Sequence, residues 1–321
     1  MPHQPCLSHL LQFDLFANAI EDSLENSAEN LQTALRNLGE SISDSCQVDH
    51  QEEHDSGDFP FVLVDMFQTH GEHALDRSQM EAILFAPLVP AAIRSDWEEF
   101  SFEHQEWIQD SRAKFLDHLG PDEEPPVFFD GNVSPYVYRR RDGIFPEETV
   151  ENTSAPIWYL SPPPFNPAIV NFDMLSHELY RETLLYAIAS KQPVFSRILD
   201  VEQFSSMQVA DTDHYKFHEK FTPLEPGSIG YDHPHSIYVR PVFVSTKNDQ
   251  VVGILMGAVA WDAYFSRLLP EGVVGVLAVL RIQCSQSPDE AYTYELNGPV
   301  VSQDIFYCSR LRPLTLFSSH V

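Results

Sequence analysis

Residues 236–260 read SIYVRPVFVSTKNDQVVGILMGAVA, and this stretch decides the fold class. Two apolar runs, Ser236–Val244 and Val251–Ala260, flank the polar segment Lys247-Asn248-Asp249-Gln250. Runs rich in valine and isoleucine on both sides of a short polar segment are typical of a β-hairpin. The sequence therefore predicts an antiparallel sheet in the last third of the chain.

Elements of both types surround this hairpin. Apolar spacing predicts helices at Asp76–Phe85, Ser95–Leu119 and Leu175–Ala189, and strands at Ile157–Leu160, Pro193–Leu199, Val273–Ile282 and Ala291–Leu296. The fold class is therefore α/β of the α+β kind, and the order of strands and helices resembles a PAS-like sensor lobe.

A long helix is predicted near the N-terminus. From Leu10 to Ile42 there is no proline, and Gly39 is the first glycine. Apolar residues recur there at alternating steps of four and three: Phe13, Ala17, Ile20, Leu24, Leu31, Ala34 and Leu38, with Ser27 in the one gap. This stripe fits an amphipathic helix lying on its own domain, or a stalk that pairs with a partner helix.

Charge limits the possible partners. The 321 residues carry 19 basic and 48 acidic side chains, a formal net charge of −29. Such a surface repels phosphate, so nucleic acid and anionic membranes are disfavoured as partners, while a cationic or neutral ligand or a divalent metal is easier to accommodate. The sequence contains neither a membrane-spanning segment nor a signal peptide, so the chain as written is expected to be soluble.

Cysteines and glycosylation sequons are sparse. Cys6, Cys46, Cys284 and Cys308 lie far apart without a CxxC pair, which leaves the disulfide pairing open. Two sequons occur, Asn132-Val133-Ser134 and Asn152-Thr153-Ser154, and Pro135 directly after the first makes it a poor acceptor. They favour secretion only weakly.

The chain has no recognisable catalytic motif or cofactor-binding motif, so we expect neither an enzyme nor a bound cofactor. One cluster could hold a metal ion, but it falls in a polar segment that reads as a surface loop: Asp211, Asp213, His214, His218, His233 and His235. We therefore predict no metal site. Metal-dependent catalysis by this cluster is the third-ranked alternative.

Five residues are the candidates for ligand binding. Trp158 and Tyr159 precede a proline-rich turn, and Asp173 follows at a predicted strand–helix junction, a combination that suits a small polar or cationic ligand. Asp173 can equally cap the helix that begins near Met174, and the two roles can coexist. Tyr238 and Arg240, on the predicted strand Ser236–Val244, complete the set.

Several segments, in order, resemble the extracellular sensor region of receptor-type adenylate/guanylate cyclases of diatoms and related algae. They cover roughly residues 10–300: the stalk residues Gln12, Phe13, Ala17 and Ile20, then FPFV at 59–62, FAPLV at 85–89, WEEF at 97–100, PIWYLSPPP at 156–164, IVNFD at 169–173, PVF at 241–243, VVGIL at 251–255, WDAYF at 261–265, LLPEG at 268–272 and TYELNG at 293–298.

The resemblance implies a CHASE-like module on the extracellular side of the plasma membrane, joined to the membrane through spans that this chain does not contain. It divides the chain into a stalk helix at 1–45, an acidic linker at 46–58, a sensor module at 59–299 and an atypical tail at 300–321. An unknown small molecule would bind the module, and a homodimer through the stalk would signal to a cyclase domain absent here. Whether the output is cyclic GMP or cyclic AMP stays open. The alternative is a free-standing secreted small-molecule-binding protein.

Overall fold

The computed structural model describes residues 5–48, 59–78, 80–119, 125, 127–139, 152–198, 235–245, 248–261, 265, 276–282, 290–297 and 300–303. Its longest element is helix α1, Pro5–Val48, which confirms the predicted N-terminal helix and extends it at both ends. Leu31, Leu35, Leu38 and Ile42 of α1 are almost fully buried. This half of α1 therefore packs into the core of the same chain.

Helix α2 spans Phe67–Ser78, and strand β1 spans Ala82–Pro87. The helix predicted at Asp76–Phe85 is therefore wrong over its second half. The apolar residues of this segment are buried because both faces of β1 are covered, with Ile83 and Phe85 in one core cluster and Ala86 in the other. A strand buried on both faces is apolar at nearly every position, and a short run of that kind imitates helical spacing.

The single helix predicted at Ser95–Leu119 is also wrong, because it is two helices, α3 at Arg94–Glu103 and α4 at Glu106–Asp117. The break is at His104, whose φ of −114° and ψ of 46° leave the helical region. Its amide donates to Phe100 O at 3.0 Å, and its ring stacks on Phe100 with centroids 4.5 Å apart. These local contacts end α3 without a proline or a glycine.

The main sheet has five strands in the order β4-β1-β7-β6-β5, and every pair is antiparallel. The other strands are β4 at Tyr159–Ser161, β5 at Val194–Phe195, β6 at His235–Ser245 and β7 at Asn248–Ala260. The predicted hairpin is confirmed as β6–β7, and β1 from the N-terminal half of the chain lies in the centre of the sheet beside β7.

Two smaller sheets accompany it. Strands β2 at Val89–Pro90 and β3 at Thr153–Ser154 form one, and β8 at Val276–Ile282, β9 at Glu290–Asn297 and β10 at Val300–Gln303 form the other. The first residues of the predicted C-terminal tail thus pair with β9.

Different helices cover the two faces of the main sheet. One core cluster joins Ile83, Phe85 and Leu255 of the sheet to α1 and α2. The other joins Leu84 and Met256 to helix α5, Glu178–Ser190. We call these the α1 face and the α5 face. Residues paired across antiparallel strands share a face, so the register assigns each sheet residue to one of them.

Candidate functional site

Trp158 and Tyr159 lie in an aromatic cluster at β4, on the side of α3 and α4. Trp158 is fully buried, and its ring centroid lies 5.3 Å from that of Trp97 and 5.8 Å from that of Trp107. Its indole Nε1 donates to Val62 O at 2.8 Å. The polar atom of Trp158 is therefore already bonded within the protein.

Tyr159 is held from both sides. Phe67 of α2 stacks on it with centroids 4.9 Å apart, and Trp107 of α4 lies at 4.7 Å. Its hydroxyl accepts a hydrogen bond from Val64 N at 3.0 Å. Burial raises the pKa of the Tyr159 phenol well above its usual value, so the ring stays neutral.

Asp173 is a cap. Its Oδ1 accepts from Leu175 N at 3.1 Å at the start of the 3-10 turn Met174–Ser176, and from Ala155 N at 2.7 Å. The capping interpretation of Asp173 is therefore confirmed. Asp173 is 1% exposed, so a ligand could reach its carboxylate only if the surrounding chain opened.

Tyr238 and Arg240 lie two residues apart on β6, on the α1 face. The Tyr238 ring is buried and packs on Phe195 at 4.8 Å between centroids. Its hydroxyl is buried without a hydrogen-bond partner. Burial raises the pKa of Tyr238, and the nearby Arg240 guanidinium acts in the opposite direction. Arg240 is partly exposed, so this pair places a buried hydroxyl next to an accessible cation.

The five candidates do not converge on one pocket. Register places Tyr159, Phe85, Leu255 and Arg240 in one row across four strands. Three strand spacings separate the ends of that row, or about 14 Å. Asp173 lies outside the sheet, in an isolated bridge with Pro156. The geometry therefore gives three separate places: an aromatic cluster, a cap, and the Tyr238–Arg240 pair.

Asn171 organises the region between them, and sequence reasoning missed it. It is fully buried with a φ of 73°, in the left-handed region. Its Oδ1 accepts from Trp97 Nε1 at 3.0 Å, and its Nδ2 donates to Ser101 Oγ at 2.7 Å and to Ser134 O at 2.8 Å. One amide thus joins α3, the 131–139 segment and the 166–177 segment. An asparagine two residues before a capping aspartate was the only signal in the sequence.

Three buried polar atoms without partners lie where α2, α4 and β4 meet: Gln68 Oε1, Ser161 Oγ and Trp107 Nε1. A β-carbon on Gly71 would collide with Ser161, so the α2 backbone sits directly on β4. On the α5 face the hydroxyl of the buried Tyr180 likewise has no partner. Buried polar groups usually have partners, so these atoms are places where a small polar molecule or water would be stabilised.

A cleft of about 280 Å³ opens nearby, at the start of α4. Its lining is Gln105, Glu106, Ile108, Gln109, Gly131, Asn132 and Pro167. Amide and carboxylate groups thus surround a small apolar floor, which suits hydrogen bonding to a neutral polar ligand. Gln105 is held in place there, because its Oε1 accepts from Val133 N at 3.1 Å.

His235 is not in a surface loop, contrary to the prediction for its segment. It begins β6, is fully buried, and its Nε2 lies 2.9 Å from Oε2 of the buried Glu81. The rest of the proposed metal cluster, Asp211 to His233, lies outside the described residues. Within the described residues, no group of three or more His, Cys, Asp or Glu side chains is placed to hold a metal ion.

Comparison with protein families gives a match over the middle of the chain. Residues 65–210 match the CHASE domain. CHASE domains are sensory rather than catalytic and are typically extracellular, so the match supports a CHASE-like sensor region at these residues. The match includes α2 through β5, whereas α1, β6 and β7 lie outside it although β6 and β7 complete the same sheet.

No curated protein matches the chain. Among the helices of the described residues, none is both long and apolar enough to cross a bilayer.

Proposed function

We propose that this chain is the extracellular ligand-sensing region of a receptor-type guanylate or adenylate cyclase, and that α1 carries its signal. The proposal depends on the packing of α1 against the main sheet, together with the CHASE match. Gly39 of α1 approaches Leu255 so closely that an added β-carbon would lie 3.4 Å from Leu255 Cδ1. Ser43 Oγ donates to Phe243 O at 2.7 Å.

These contacts couple the helix to the sheet. Side chains packed at this density move together, so a shift of β6 or β7 on ligand binding also shifts α1. The Tyr238–Arg240 pair lies on β6, on the face that α1 covers. A ligand with a hydrogen-bond acceptor that reaches both groups would therefore bind next to the element that transmits the signal.

A titration of the full chain tests ligand binding. Thermal unfolding is measured against a panel of neutral, cationic and anionic metabolites, since a ligand at 100 times its Kd adds about 2.7 kcal/mol. For a compound that stabilises the chain, Tyr238→Phe and Arg240→Gln should weaken the effect. Tyr186→Phe and Arg197→Gln, at exposed positions, are the matched controls and should leave it unchanged. Equal stabilisation of all four variants would exclude this site.

The stalk is the proposed dimer contact. Leu31, Leu35, Leu38 and Ile42 are buried in their own domain, so the partner helix would pair along the earlier part of the stripe, from Phe13 to Leu24. Ile20→Glu should shift the chain to monomer in light scattering, whereas Asn26→Glu, at an exposed position, should not. A wild-type chain that is monomeric at high concentration would contradict the dimer.

Signal transfer has its own test. A spin label at the exposed Gln32 of α1, with the native cysteines replaced, reports the distance between the two helices of a dimer. The stabilising compound should change that distance. If the compound binds and the distance stays the same, the alternative of a secreted binding protein without a transmitted signal is favoured.

A further inference from the structure

The sequon Asn152-Thr153-Ser154 lies at an accessible edge of the fold. Asn152 is exposed and immediately precedes β3. Only its backbone is tied down, since its carbonyl oxygen accepts from Ala91 N at 3.0 Å. The side chain is therefore exposed, as the attachment of a bulky group requires.

The other sequon differs in its backbone. Pro135 follows Ser134 directly and restricts the backbone of that serine. In the folded chain, Ser134 Oγ donates to Tyr136 O at 2.7 Å, and Asn132 lines the α4 cleft. Asn152 carries neither restriction.

We infer that Asn152 is an N-glycosylation site and that Asn132 is not. Asn152 Nδ2 would attack the anomeric carbon of a lipid diphosphate-linked oligosaccharide, and the secretory pathway would supply this donor. An N–C bond forms, the bond from that carbon to the diphosphate oxygen breaks, the lipid diphosphate leaves and Nδ2 loses one proton. The inference rests on the proposed extracellular location.

The fold also sets when this reaction can happen. Ser154 is fully buried, its Oγ donates to Val89 O at 3.4 Å, and β3 pairs with β2 through Val89 and Pro90. The hydroxyl that the sequon needs is therefore available only before β3 pairs. Once attached, the glycan stands beside the exposed residues Pro90, Ala91 and Ala92 and covers this small apolar strip.

The test secretes the full chain from a eukaryotic cell behind a heterologous signal peptide. Digestion with peptide N-glycosidase should lower the mass by one glycan and convert Asn152 to aspartate, which peptide mass spectrometry detects. Asn152→Gln should abolish the shift, and Asn132→Gln should leave it unchanged. Pro135→Ala should add a second glycan, at Asn132. Circular dichroism confirms that each variant is folded.

A wild-type chain without a glycan, or a shift that survives Asn152→Gln, would overturn the assignment. A Pro135→Ala variant without a second glycan would contradict the inference that Pro135 prevents glycosylation of Asn132. The added signal peptide forces the chain into the secretory pathway whatever its native location. A failure here therefore concerns Asn152 alone, whereas the ligand titration tests the sensor proposal.

Discussion

Replacing Asn171 by alanine should lower the free energy of unfolding of this chain more than most other single substitutions. The side chain makes three buried hydrogen bonds, to Trp97, Ser101 and Ser134. Each is worth about 1 kcal/mol net, because the partners are left buried without water. Alanine must also adopt a φ of 73° without the polar side chain that lets asparagine tolerate the left-handed region, which adds about 1 kcal/mol. The expected loss is therefore about 4 kcal/mol.

Asn171→Gly separates the two causes. Glycine loses the same three hydrogen bonds but accepts the left-handed conformation, and it adds about 0.5–1 kcal/mol of unfolded-state entropy. It should therefore be about 1 kcal/mol more stable than Asn171→Ala. Asn37→Ala, at an exposed position of α1, is the control and should lie within about 0.5 kcal/mol of wild type.

Urea unfolding followed by tryptophan fluorescence measures all three variants, with stability read from the midpoint at constant slope. The four tryptophans give the signal, and Trp97 contacts the mutated side chain directly. An Asn171→Ala loss below about 1 kcal/mol would refute the hydrogen-bond argument. A glycine variant less stable than the alanine variant would refute the backbone argument.

Two further predictions concern buried side chains. Arg112→Lys should cost about 2–3 kcal/mol in urea unfolding, because the buried guanidinium donates three bonds to Pro164 O and Phe165 O that one ammonium cannot reproduce; wild-type stability would contradict this. Tyr180→Phe should be neutral or stabilising by up to about 1 kcal/mol at pH 7, because its buried hydroxyl has no partner. Burial raises the pKa of Tyr180, whereas the unfolded chain loses that proton near pH 10. The free energy of unfolding is therefore unaffected by this group below about pH 10, and above that pH the group lowers it by about 1.4 kcal/mol per pH unit. Tyr180→Phe should make the fall in the free energy of unfolding above pH 10 less steep. An equally steep fall would show that Tyr180 does not contribute to it.

The local pattern of apolar and polar residues was sufficient to predict the longest helix and the two longest strands. Helix α1 could be predicted because a run without proline carries one apolar stripe, and β6–β7 because two valine-rich runs flank a polar segment. The pattern failed where burial is two-sided, as in β1, and where a helix ends through its own side chain, as at His104. Neither cause is visible without the surrounding fold.

The candidate site was less predictable than the fold. Residue types correctly indicated that Asp173 caps a turn, and they drew attention to Trp158 and Tyr159. The order of the strands decided whether the candidates lie together, since it places Arg240 of β6 three strands away from Tyr159 of β4. Asn171 was missed because its role depends on partners in two distant segments. The ligand-binding role of all five candidates stays a prediction.

The position of β1 has a consequence for synthesis of the chain. Ala82 of β1 pairs with Ala258 of β7, more than half the chain length later. While the ribosome makes the intervening residues, β1 can pair with β4 on one side only. Its other edge stays unpaired until β7, the last strand of the main sheet, has been made. An exposed apolar strand edge is where nascent chains aggregate. A transcript that stops before residue 248 would therefore leave an aggregation-prone fragment rather than a smaller folded domain, and expression would depend on chaperones that protect β1 until β7 emerges.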